Sequence, residues 1–312
     1  MIRLLKRYLF RNPFDTALEQ AAKEGMKKFL FVWNRGLGDI PLGLYALVHR
    51  VRSYIPDAQI TFLTRLDLRE GFAMLSGVET LVSPSIRRGQ EFALDEVLAQ
   101  LGISRRNFDQ IFEKPDPTRW LPWQLGTLTP RLHWRSEWDG ICDQFGAKGQ
   151  GPVIGVHVQT ETNFVYNYEK NWPVDAWRTF FTRATCELGA KILLFGFQTT
   201  PQFEGEGIVD LRGRTSLIEM MSLIKNCCTH LVVPDSGVLS IAYYLDIAKP
   251  LTVVSLWADP EQGVLRQKVP SPNPYFKHYP LIGKGKDTSR IPVDAVMECL
   301  KDDTLICQPR TF

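Results

Sequence analysis

At 312 residues the chain exceeds one average domain and suits two of roughly 150 residues, each able to bury its own core. Hydrophobic residues make up 44% and charged residues 23%, an ordinary globular balance, and no segment approaches the ~20 apolar residues that a membrane-spanning helix needs. A net charge of +3 is too small to argue for nucleic acid. The six cysteines (Cys142, Cys186, Cys227, Cys228, Cys299 and Cys307) show neither CxxC pairs nor metal-ligand spacing, and the start lacks a secretory signal. A soluble cytoplasmic protein is the expectation.

In chain order, Arg3, Lys6, Arg7 and Arg11 alternate with Leu4, Leu5, Tyr8, Leu9 and Phe10 ahead of Pro13. This basic amphipathic stretch has two readings: contact with the inner, anionic face of a membrane, or a first helix with its basic face in solvent. The apolar run 29–33 predicts a strand, 34–39 a glycine loop, and Leu42, Leu44, Leu47 and Val51 a helix. Strands follow at 59–64, 80–82 and 108–112, with helices at 69–75 and 94–101. Between Pro115 and Trp138 the periodicity fails among prolines and tryptophans, which reads as a long connection. An amphipathic piece ends at Phe145, and 146–151 reads as a flexible linker and candidate hinge.

Beyond it the alternation restarts, with strands at 153–158, 191–195, 208–211, 230–233 and 251–256, and helices at 173–188, 216–227, 238–245 and 293–300. Strand–helix alternation of this kind predicts parallel sheets with helical crossovers, hence two Rossmann-like α/β domains at 1–148 and 152–312.

Open parallel sheets bind ligands beyond the carboxyl ends of their strands, so loops that follow strands carry the information. Gly36 and Gly38 let the first loop turn tightly, and Asp39 opens the next helix either as its cap or as a general base. Asp235, Ser236 and Gly237 stand at another strand-to-helix junction, where backbone N–H groups and the helix dipole favour a diphosphate. Lys170 lies before Pro173, which opens a helix, and is either a phosphate partner or a solvated charge. The polar loop 196–206 holds Gln198, Thr199 and Thr200, a candidate for nucleotide contacts or a plain surface loop.

Taken in order, Leu37-Gly38-Asp39, Lys170-Asn171-Trp172-Pro173, Gly213-Arg214-Thr215-Ser216-Leu217 with Glu219, and Val232-Val233-Pro234-Asp235-Ser236-Gly237 resemble the motifs of glycosyltransferase family 9, the ADP-heptose:lipopolysaccharide heptosyltransferases. Phe108 to Phe112 also fits a strand of its first domain, so the resemblance spans most of residues 28–260. It implies a GT-B fold, two Rossmann-like domains facing across a cleft, with acceptor contacts mainly in the first and the nucleotide-sugar donor in the second. By the resemblance Asp39 is the catalytic base of an inverting transfer, and Lys170, Ser236, Gly237 and Thr160 hold the donor phosphates. Asp235, Thr215 and Gln198 then meet the donor sugar or nucleotide, and Gly36, Gly38, Arg65 and Arg69 line the acceptor loop. The partners implied are ADP-heptose or a similar donor and an anionic glycolipid or glycan acceptor, with no metal and no cofactor.

Departures from the family pattern keep other readings open. Ser240 stands where the family commonly has histidine, Trp257-Ala258-Asp259-Pro260 is shorter than its glycine-containing loop, and the ribose-binding glutamate has no clear counterpart. A non-catalytic sugar-nucleotide-binding or scaffolding protein is the alternative, as is a sugar-nucleotide epimerase. A dinucleotide oxidoreductase fits less well, because Gly36-x-Gly38 lacks the third glycine of GxGxxG.

Overall fold

The structure, a computed structural model, describes residues 12–147, 151–160, 168–302 and 309–312. The basic stretch from Arg3 to Arg11 lies outside the described residues, as do positions 148–150 of the linker. The chain divides into two compact units, Met1–Pro130 and Arg131–Phe312.

In the first unit, α1 (Pro13–Lys23) is a helix that the periodicity did not announce. Asn12 caps it by accepting from the Phe14 N–H at 3.0 Å, with Pro13 in the first turn. Phe14 fixes it by stacking on Trp120, ring centres 4.7 Å apart, and meeting Phe112 edge-on at 5.3 Å. The apolar run then forms β1 (Lys28–Trp33), buried at every position after the first, as a parallel strand covered on both faces must be. It enters an irregular π-helical turn at Ile40–Leu44, which leads into α2 (Tyr45–Tyr54). Next come β2 (Gln59–Arg65), α3 (Arg69–Ala73), β3 (Glu79–Ser83), α4 (Leu94–Gln100) and β4 (Gln110–Phe112). The sheet order is β3-β2-β1-β4, all parallel.

The last strand is shorter than the apolar run at 108–112 predicts. Ser104 and Asn107 form a reciprocal capping box around a 3-10 turn, and Asp109 turns aside to accept from the N–H groups of Lys27 and Lys28 at 2.8 and 2.9 Å. The expected long connection contains the short helix α5 (Pro117–Trp120) and a 3-10 turn at Pro122–Gln124.

The second unit holds β5 (Val153–His157), α6 (Val174–Leu188), β6 (Lys191–Phe195), β7 (Ile208–Asp210), α7 (Leu217–Asn226), β8 (His230–Pro234), α8 (Gly237–Tyr244), β9 (Leu251–Trp257), α9 (Gly263–Gln267), β10 (Phe276–Ile282), α10 (Val293–Lys301) and β11 (Arg310–Thr311). Its parallel sheet runs β11-β10-β9-β8-β5-β6-β7. Chain order reverses at β5, so the crevice at the carboxyl ends of β5 and β8 is the topological switch point where such sheets take ligands. Gly155 permits the packing of β5, since a Cβ there would come within 2.9 Å of the Phe195 ring and 3.0 Å of Cys228 Sγ. One face is filled by Trp172, Trp177, Phe180 and Phe181 against Ile154, Val156, Val232 and Val254.

Two features differ from the sequence reading. The amphipathic piece Ser136–Phe145, expected at the end of the first domain, packs on α7: Ser222 Oγ donates to the Trp138 carbonyl at 2.7 Å and Asn226 Nδ2 to that of Asp139 at 2.9 Å. The break therefore falls at Pro130 rather than in the glycine-rich stretch. Strand β10 was not foreseen because Lys277 and Pro280 break its apolar pattern. Proline is tolerated there because, among the described residues, β11 pairs only with Leu281 and Ile282, beyond Pro280. No helix among the described residues is long and apolar enough to cross a membrane.

Candidate functional site

At the switch point of the second unit, the loop before α6 and the turn after β8 meet. Lys170 Nζ donates to Asp235 Oδ2 at 2.5 Å, and both residues are buried, 6% and 7% exposed. Burial pushes the Asp235 carboxyl up from its ordinary value; the Lys170 ammonium opposes this, and the nearby negative charge of Asp259 adds to it. Asp235 is hemmed in on its other side by Gly263, where a Cβ would overlap Oδ1 and come within 2.9 Å of the Trp257 ring. Gly263 is left-handed, φ +49°, so glycine is required there on two counts. Trp257 is held by its indole N–H donating to Ser255 Oγ at 2.6 Å, and Ser255 Oγ is 2.6 Å from His278 Nε2.

Ser236 caps α8, its Oγ accepting from the Leu239 N–H at 3.3 Å, and Gly237 is the first helical residue. First-turn N–H groups have no partner within their own helix, so this end attracts negative charge. The Asn171 side chain accepts from the Thr160 N–H at 2.8 Å, its carbonyl accepts from Thr288 Oγ1 at 2.7 Å, and the Trp172 indole donates to the Ile291 carbonyl at 3.0 Å. These bonds set the backbone from which Lys170 reaches Asp235.

His157 ends β5, 7% exposed, and its Nδ1 has no hydrogen-bond partner among the described residues. Burial lowers its pKa from 6.5 to about 4. The fold therefore refuses a proton that the unfolded chain accepts, and stability present above pH 6.5 is lost as pH falls toward 4. The loss is on the order of 3 kcal/mol. Urea unfolding of the wild type and His157→Phe at pH 7 and pH 4.5 checks this: the variant is expected to lose less stability on acidification, and equal losses would refute the assignment.

In the first unit the ends of β1, β2 and β3 converge. The Asp39 side chain does not cap the helical turn beginning at Ile40; its Oδ2 accepts from the Gly36 N–H at 3.1 Å. Gly36 is required by that contact, since a Cβ would lie 2.9 Å from Oδ2, and Arg88 Nη2 would lie 3.9 Å from the same Cβ. Arg65 Nη2 donates to the Arg35 carbonyl and pairs with Asp67, each at 3.1 Å. Asn34 Nδ2 donates to the carbonyls of Arg87 and Gln90 at 3.2 and 2.8 Å, stitching the loop after β3 to the loop after β1. A half-buried carboxylate rimmed by arginines results.

No protein-family model matches the chain, and no curated protein matches it in sequence. Solved structures do match. Escherichia coli ADP-heptose lipopolysaccharide heptosyltransferase II aligns at 17% identity and a TM-score of 0.64, covering 88% of this chain and 97% of its own. E. coli heptosyltransferase WaaC with ADP-2-deoxy-2-fluoro heptose aligns at 14% identity and a TM-score of 0.51, covering 88% and 99%. The chain has a heptosyltransferase-like GT-B fold.

Within this heptosyltransferase-like fold, the structure brings Lys170 together with Asp235, and places Ser236 and Gly237 directly after Asp235. Gly36, Asp39 and Arg65 share the loop cluster of the first unit. Arg69 is exposed on the first turn of α3 and makes no hydrogen bond or ion pair among the described residues. Gln198 is exposed and Thr215 half-buried, neither tied to the Lys170–Asp235 pair. Glu219 serves the fold, accepting from the Ser216 N–H at 2.7 Å as half of a capping box on α7. Ser240 Oγ donates to the Ser236 carbonyl at 3.2 Å, so it is committed to its own helix.

Three residues escaped the sequence reading. His157 could have been flagged as a polar residue ending an apolar strand. Arg212, 2% exposed, grips Asp210 with Nε and Nη2 at 2.9 and 2.6 Å and donates to the Pro201 carbonyl at 2.8 Å, anchoring the loop after β6. Lys286 follows β10 in a Gly283-Lys284-Gly285-Lys286 run, and its signal was lost because that strand was missed.

Proposed function

We propose that this chain is an inverting, metal-independent glycosyltransferase whose second unit binds a nucleotide-diphosphate sugar of the ADP-heptose type. Its first unit presents a hydroxyl of a lipopolysaccharide-core or related anionic glycan to Asp39. The observation that carries this reading is the buried Lys170–Asp235 pair beside the α8 N-terminus at the switch point. It offers a cation and a helix start to a diphosphate, with a carboxylate beside them to accept hydrogen bonds from sugar hydroxyls. The likeness to heptosyltransferase structures, one a complex with a fluorinated ADP-heptose, supports the same class of donor.

In this scheme the Asp39 carboxylate takes the proton of the acceptor hydroxyl as that oxygen attacks the anomeric carbon from the face opposite the nucleotide. The bond from the anomeric carbon to the diphosphate oxygen breaks, its electron pair leaves with the nucleoside diphosphate, and the configuration inverts. Lys170, Thr160 and the Ser236–Gly237 turn receive the leaving charge. Asp235 passes from Lys170 to the donor sugar, while Thr215 and Gln198 meet the nucleotide. Arg65 and Arg69, with the Gly36–Gly38 loop, take the anionic acceptor, and the basic stretch at Arg3 to Arg11 holds the chain at the inner membrane face.

The test is chromatographic detection of nucleotide release from a panel of nucleotide sugars, with and without a deacylated lipopolysaccharide-core acceptor. Release of ADP from ADP-heptose only when acceptor is present, unchanged by EDTA, is the expected result. Donor binding without acceptor-dependent turnover would favour the binding-only reading, and absence of donor binding would reject the proposal.

A further inference from the structure

We infer that Lys286, in the loop after β10, is a second diphosphate-binding cation, handed from Asp259 to the nucleotide when the donor binds; the inference rests on the donor reading above. Lys286 Nζ lies 2.8 Å from Asp259 Oδ2 and 5.2 Å from the centre of the Tyr168 ring. Tyr168 is two residues before Lys170, and Asp259 is near enough to Asp235 for its charge to act there. The chain Lys170–Asp235, Asp259–Lys286–Tyr168 thus gathers two lysine–aspartate pairs in one place, drawn from the loops after β5, β8, β9 and β10.

The two pairs are built differently. The Lys170 side chain is 8% exposed, whereas that of Lys286 is 57% exposed while its partner Asp259 is buried. An aspartate fixed from within therefore holds an ammonium whose other side faces water, the arrangement of a cation parked and available. The backbone at the loop is unusual too: Gly285 and Lys286 are consecutive left-handed residues, φ +70° and +62°, a conformation uncommon for a residue other than glycine. Asp259 has a second anchor of its own, its Oδ1 accepting from the Glu261 N–H at 3.1 Å.

Charge accounting gives the role. Two lysines and two aspartates leave the group near neutral, and a diphosphate adds at least two negative charges. Lys170 is a single ammonium and cannot neutralise two charges, even once Asp235 has passed to the donor sugar. A second ammonium that exchanges its carboxylate for phosphate spreads the diphosphate charge over two cations, and Asp259 keeps the Glu261 N–H. Recognition then depends on phosphate count: a nucleoside diphosphate engages both lysines, a monophosphate one, a nucleoside neither.

Calorimetric titration of the full chain with ADP, AMP and adenosine tests this in the wild type, Lys286→Ala, Lys286→Arg and Asp259→Asn. Lys286→Ala is expected to weaken ADP about tenfold or more, AMP less, and adenosine not at all, the loss of one charge-assisted contact. Lys286→Arg should keep most of the ADP affinity, and Asp259→Asn should bind ADP at least as tightly as the wild type. The proposal is overturned if Lys286→Ala binds ADP like the wild type, if it loses all three ligands in equal proportion, or if Asp259→Asn loses ADP as Lys286→Ala does. A wild type that binds none of the three would overturn the donor reading itself, a result distinct from any of these.

Discussion

Asp39→Ala is expected to lower acceptor-dependent kcat by about 10²–10⁴-fold, the usual contribution of a positioned general base, while leaving ADP affinity unchanged. The reason lies in how the carboxylate is held. It sits half-buried with Oδ2 on the Gly36 N–H, and it makes no bond to the helical turn it precedes, so its removal costs no helix cap. Asp39→Asn keeps the shape and removes the basicity, and should be nearly as inactive. If Asp39→Asn retains more than about a tenth of wild-type kcat, proton abstraction by this residue is refuted. If both variants lose activity only in step with lost stability, Asp39 is structural.

The second large effect concerns Lys170. Lys170→Met leaves Asp235 buried without its cation, and breaking a buried pair from one side typically costs about 3–5 kcal/mol. Protonation of Asp235, already favoured by its burial, caps the cost near the lower end. A loss of roughly 3 kcal/mol should appear as a fall of roughly 6–12 °C in Tm. ADP binding should fall with it. The double variant Lys170→Met/Asp235→Leu separates the two: stability is expected to return, because no charge is left buried, while ADP affinity stays low. Recovery of ADP binding in the double variant would mean that Lys170 supports the fold and does not touch phosphate.

The sequence made the architecture legible because its central strands are continuous apolar runs. Residues 29–33 and 192–195 are unbroken apolar runs bounded by glycine-containing loops, the pattern of buried parallel strands. Strand β10 carries Lys277 and Pro280, so no apolar run marks it, and the loop holding Lys286 was lost with it. The pairing of Lys170 with Asp235 was equally hidden. The two residues are 65 positions apart, and only the parallel order β8-β5 brings their loops to one edge. Glu219, part of a segment that resembles the family's, forms a capping box, because a Ser-x-x-Glu pattern at a helix start satisfies backbone donors. Ser240, at the position where the resemblance leads one to expect a histidine, donates to the Ser236 carbonyl within its own helix.

The packing of Ser136–Phe145 on α7 decides where the second unit becomes independent. A fragment starting at Gly151, as the glycine-rich stretch invites, would strip Ser222 and Asn226 of the carbonyls of Trp138 and Asp139 and remove the Trp134 ring over which Lys225 lies. The bare flank of α7 would then offer a sticky surface to other copies of the fragment. Starting at Arg131 keeps that cover in place, along with the parallel bridge from Leu132 to Leu245 that ties the segment to the end of α8. The amphipathic piece just ahead of the glycine-rich stretch is thus a strap belonging to the second unit.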